Sequence, residues 1–189
     1  MRKYWSILVA PAVIAAGGQS MAQIAPGLRK PETHLQAMGQ ALDMGCFLAT
    51  AGRPVPGINQ PLLGMKGEGL TPQEVEADWL SPLIATSGRN QVSLLKTPQG
   101  PVWIVFNLDN GDCNVAAKTA DRVALLNGLI SRFTGEFGKW TTSETSTERT
   151  FLKKSIEGSS LEWSAVVVTP EASADVILVT MSATDRKDK

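Results

Sequence analysis

The chain has 189 residues, 18 basic and 18 acidic side chains, and 43% apolar residues. That balance suits one globular domain and excludes a disordered chain or a multi-span membrane protein. Zero formal net charge offers no basic face to nucleic acid or to an acidic membrane surface.

The first residues set the expected address. Arg2 and Lys3 form a positive start, and residues 5–16 form an apolar run that is too short to span a bilayer. Small residues at Ser20 and Ala22 complete the pattern of a secretory signal, with cleavage expected after Ala22. The expected organisation is therefore 1–22 signal peptide, 23–184 a single α+β domain and 185–189 a charged tail. With Arg2 and Lys3 removed, the exported chain carries two more acids than bases. No cysteine lies near the cleavage point, so neither a lipid anchor nor stable membrane insertion is expected. The chain is expected to be periplasmic or secreted. Cys46 and Cys113 are the only cysteines, and in an oxidising compartment they are expected to pair. Closing a loop of that length is worth about 4 kcal/mol in the chain-entropy model.

After a loose leader, Pro31-Glu32-Thr33 opens a helix expected over 32–50, with Leu35, Met38, Leu42 and Cys46 on one face. Residues 52–69 hold three prolines and five glycines, which rules out a regular helix or a central strand. A connection that long is a candidate binding loop. Arg53, Ile58, Leu62, Leu63 and Met65 are its candidate contact residues. Thr71-Pro72-Gln73-Glu74 is a capping box that predicts a short helix through Leu80. Residues 91–96 predict a strand, and Thr97-Pro98-Gln99-Gly100 a turn into a second strand over 102–108. The run Val102-Trp103-Ile104-Val105-Phe106 suits a strand buried on both faces.

Asn110-Gly111 predicts a tight turn, followed by Cys113 and then an amphipathic helix. Thr119 is its expected cap, and Val123, Leu126, Ile130, Phe133 and Phe137 its buried stripe, widened by Leu125 and Leu129. The C-terminal third alternates in the β manner, with strands expected over 140–144, 149–157, 161–169 and 174–183. The fold class read from this order is α+β: a single antiparallel sheet of five or six strands, one long helix across a face, and an N-terminal helix tied on by the Cys46–Cys113 disulfide.

The residues carry few marks of catalysis. The single histidine, His34, sits at a helix start, where a solvated surface position is expected. It cannot assemble a zinc site or a Ser-His or Cys-His pair, and no nucleophile elbow or phosphate loop is present. Asp109-Asn110-Gly111-Asp112 lacks the ligand spacing of a calcium loop and reads as a turn. No catalytic residue, cofactor or metal is assigned. Trp140 precedes the polar run TTSETSTE and is expected to be exposed, which adds it to the candidate binding surface. The function expected from sequence is an exported, non-enzymatic binding or interaction protein of the bacterial envelope. Its partner would be another envelope protein or a small apolar ligand. The alternatives are a small secreted hydrolase using acidic residues, and a carrier holding an apolar ligand between helix and sheet.

Overall fold

The computed structural model describes residues 30–51, 68–70, 79–80, 90–135, 138–171 and 173–185. The central apolar run forms the strand that was expected. β1 (Glu68–Leu70), β2 (Asn90–Thr97), β3 (Gly100–Asn107), β4 (Cys113–Lys118), β5 (Thr141–Thr145), β6 (Arg149–Ser155), β7 (Leu161–Val168) and β8 (Val176–Asp185) make one sheet. Its order is β1-β2-β3-β4-β8-β7-β6-β5, and every neighbouring pair is antiparallel. Two meanders, β1 to β4 and β5 to β8, join where β4 pairs with β8.

Five or six strands was therefore too few. The sheet has seven strands of five residues or more and a three-residue edge strand, β1. The missed long strand is β4. Its Ala116, Ala117 and Lys118 have weak strand preference, but the open edges of β3 and β8 on either side supply its hydrogen bonds. Sheet dominates the described residues, and among them no long helix lies across it.

The longer helical run is the first one. It passes from α1 (His34–Gln40) through a π-helical segment (Ala41–Cys46) into α2 (Phe47–Thr50). Thr33 caps α1, its hydroxyl accepting from the Gln36 N–H. The second helix, α3 (Arg122–Thr134), has only 13 residues. Its cap is Asp121, whose carboxylate accepts from the Ala124 N–H at 2.9 Å, rather than Thr119. Leu125, Leu129 and Phe133 are buried and Leu126 and Ile130 pack against the same core, whereas Val123, in the first turn, is 66% exposed. Phe137 lies outside the described residues. No described helix is long and apolar enough to cross a membrane.

The side chains of β3 alternate between two cores, as a strand covered on both faces requires. Val102, Ile104 and Phe106 face the helices with Val115, Ile177 and Val179. Trp103 and Val105 face the other way with Val92, Ala116, Leu178 and Leu80. The Cys46–Cys113 disulfide is present, but Cys113 opens β4 instead of leading into α3. The bridge thus pins the π segment to the middle of the sheet. The two helices meet through glycines. A Cβ at Gly128 would lie 2.8 Å from the Leu35 side chain, and one at Gly39 would lie 2.6 Å from Arg132 Nε.

Candidate functional site

Sequence pointed to the 52–69 loop and to Trp140. Arg53, Ile58, Leu62, Leu63 and Met65 lie outside the described residues. Trp140 is 6% exposed, not a surface residue. The polarity of the following run exposes β5, all five of whose residues are exposed, but does not reach back one position. The Trp140 N–H donates to the Phe133 carbonyl at 2.9 Å. Its ring meets Phe133 and Phe47 edge-on, with centroids 5.2 and 6.5 Å away. Phe47 also stacks on Trp163 at 4.7 Å.

The backbone that delivers Trp140 turns back sharply after α3. Gly135 N–H returns to Ser131 O at 2.8 Å, and Lys139 N–H to Gly135 O at 2.9 Å. Lys139 takes a left-handed φ of 54°, uncommon for a residue with a side chain. A Cβ at Gly138 would fall 2.0 Å from the Phe133 carbonyl, so only glycine fits that path.

Beside this turn the helical cover opens. A cleft of about 600 Å3 lies between the first helical run, the end of α3 and the sheet. Leu35, Phe47, Trp140 and Met181 give it apolar walls, and Gly128, Gly135 and Gly138 leave room within it. Ser131, Asp43, Arg132 and Lys154 supply the polar groups. The volume falls within the range of sites for small organic ligands.

The first helical run widens at the cleft. The Phe47 N–H bonds to Leu42 O, five residues back. Such wider turns within helices occur often at functional sites. Here Asp43 meets Arg132 of α3, with Oδ2 accepting from Nε at 3.1 Å and from Nη2 at 2.5 Å. Both side chains are about half exposed, so the pair orients more than it stabilises.

Lys154 comes from the sheet. Thr150, Leu152 and Lys154 alternate along β6 on the face turned to the helices, where Thr150 and Leu152 are buried. A lysine in that row is out of pattern. Its ammonium donates to Gly138 O at 2.7 Å and lies 5.2 Å from the centre of the Phe47 ring. Lys154 belongs to none of the ion pairs among described residues. The period-two reading of β6 could have singled it out. Asp43, Phe47 and Arg132 had no such signal, because the pairing of α1 and α3 is not written in either helix alone.

Other marked residues prove structural. His34, expected at the surface, is 3% exposed beneath Gly100 of the β2–β3 turn. Its backbone N–H donates to the Gln99 side chain at 2.7 Å, which fixes the helix start to that turn. Neither ring nitrogen has a hydrogen-bond partner. Burial pushes the imidazole below its ordinary pKa of 6.5; the adjacent Gly100 backbone opposes this without reaching full hydrogen-bond geometry. In the β3–β4 turn, Asn107 Oδ1 accepts from the N–H groups of Asp109 and Asn110 at 2.8 and 3.1 Å. The turn thus satisfies its own backbone, and Gly111 supplies the positive φ of 78°. Burial raises the Asp112 carboxyl above its usual value, against the lowering effect of the Asn110 amide. Among the described residues no cluster of three or more His, Cys, Asp or Glu could hold a metal ion.

No protein-family model, curated protein or solved structure matches this chain.

Proposed function

We propose that this chain is an exported binding protein that holds a small, largely apolar ligand in the cleft between its helices and sheet. The cleft carries the reading: a space of about 600 Å3, aromatic on two sides and supplied with a few polar groups, beside the apolar core. Asp43 is the one carboxylate among its described lining residues, and Arg132 already engages it. That arrangement favours binding over hydrolysis by paired acids, which needs a second carboxylate nearby. Among the described residues the large exposed apolar side chains are Leu108, Val123 and Ile156, each on a different element. A disulfide between helix and sheet suits an oxidising compartment, in keeping with the charged and then apolar start of the sequence.

The test has two arms. A naphthalene dye that brightens in apolar surroundings is titrated into the exported, oxidised chain and into Ser131→Trp, which fills the cleft from the exposed side of α3. Dye binding is expected in the native chain and lost in the variant with its melting temperature unchanged. Equal binding by both proteins, or none by either, would sink the reading. Intact mass of the exported protein is expected to begin at Gln23; a chain beginning at Met1 would remove the export proposal.

A further inference from the structure

Accepting the cleft as a ligand site, we infer that its ligand is an amphipathic monoanion, an apolar body ending in one carboxylate, and that Lys154 is the residue that anchors the acid group.

Charge selects the sign. The described lining holds two cations, Arg132 and Lys154, against one anion, Asp43. Asp43 and Arg132 neutralise one another across the helix contact. The remaining uncompensated group is Lys154. Its ammonium has three donors, of which one goes to the Gly138 carbonyl. A ligand carboxylate can take the others as charge-assisted hydrogen bonds.

Position selects the shape. Lys154 stands on the core-facing side of β6, paired with the buried Trp163 of β7, and its partly buried side chain lines the cleft. Phe47 sits directly beneath the ammonium. An acid group held there directs the rest of the molecule along Phe47, Trp140 and Leu35, which are apolar. A ligand charged at both ends finds no second free cation along that wall among the described residues. A purely apolar ligand leaves the lysine without its counter-charge in a partly desolvated place, an arrangement that costs free energy.

The inference is separable from the reading beneath it. Decanoate and decanol share one chain and differ in the head group, so calorimetric titration of both isolates the contribution of charge. The protein is the full exported chain with its disulfide intact, compared with Lys154→Met and, as a second variant, Lys154→Gln. The native chain is expected to bind decanoate more tightly than decanol. Each substitution is expected to weaken decanoate by about tenfold or more, the scale of one charge-assisted hydrogen bond. Decanol affinity is expected to stay within about twofold, on the scale of a contact not made, which also reports that each variant has kept its fold. If the native chain binds both compounds but the variants hold decanoate as well as before, Lys154 is not the anchor while the cleft remains a ligand site. If decanol binds more tightly than decanoate in the native chain, the ligand class is wrong. Failure of the native chain to bind either compound would overturn the inference together with the reading it rests on.

Discussion

The helix-facing side of the sheet is built in two ways. Over β3, β4 and β8 it is sealed: Ile104, Val115 and Val179 are each 0% exposed, and the disulfide clamps the first helical run onto Cys113 at that point. Toward β6 and β5 the cover gives out. The same row of inward side chains ends in Lys154, Trp140 turns edge-on to its neighbours, and a cleft opens. One half is filled with apolar side chains, and the other leaves a charged side chain beside open space.

If that division is right, damage at the centre should unfold the protein and damage at the cleft should mainly alter binding. The largest effect is expected from the disulfide. Cys46→Ala with Cys113→Ala should lower unfolding free energy by about 4 kcal/mol. Urea denaturation measures it, and a loss below about 1 kcal/mol would mean that the bridge does not hold the helical cover in place. Gly138→Ala is the exception at the cleft, where stability also falls because the added carbon meets the Phe133 and Arg132 carbonyls at 2.0 and 2.4 Å. The forced shift should cost about 2 kcal/mol by the same measurement, because backbone cannot rotate aside as a side chain can.

These expectations concern positions that sequence made legible to very different degrees. The run Val102 to Phe106 announced a doubly covered strand, and Thr97-Pro98-Gln99-Gly100 placed the hairpin before it, as the pairing of Thr97 with Gly100 bears out. The two cysteines paired as their number and the expected compartment suggested. By contrast β4 was hidden, since Ala116 and Ala117 become strand residues only because β3 and β8 flank them. On α3 the expected stripe held except at its start: Leu125, Leu129 and Phe133 are buried and Leu126 and Ile130 pack against the core, while Val123, in the first turn after the Asp121 cap, is exposed. Trp140 looked exposed from the polar run after it, yet Phe133, seven residues before it, and Phe47, far from it in sequence, pack against its ring. The cleft combines residues from α1 to β8, so tertiary packing alone reveals it. Lys154 was the one lining residue with a local signature, two positions after a buried leucine on a strand.

A smaller, pH-dependent effect belongs to His34. Its folded pKa lies below the unfolded value of 6.5, so the unfolded chain binds the extra proton more readily. The neutral ring's contribution is therefore complete above pH 6.5 and is lost as pH falls through that value toward the lower folded pKa. Melting curves between pH 7.5 and about 5 should show declining stability, and His34→Gln should flatten the decline. An unchanged slope in the variant would assign the decline to other groups. The smallest effect is expected at Asp43→Asn. Breaking a half-exposed pair should cost less than about 1 kcal/mol. It also releases Arg132 into the cleft, so decanoate should bind a few-fold more tightly. Weaker binding would mean that the Asp43–Arg132 pair shapes the cleft rather than merely holding its charge.

The central claim is that the open end of the helix-facing side, not the sealed centre or the opposite face, receives a ligand. An NMR titration of the isotopically labelled chain with decanoate tests this most directly. Shifts concentrated at Phe47, Ser131, Gly135, Trp140 and Lys154 are the predicted result. Shifts centred on Trp103 and Val92 across the sheet, or a spectrum unmoved by the acid, would contradict it.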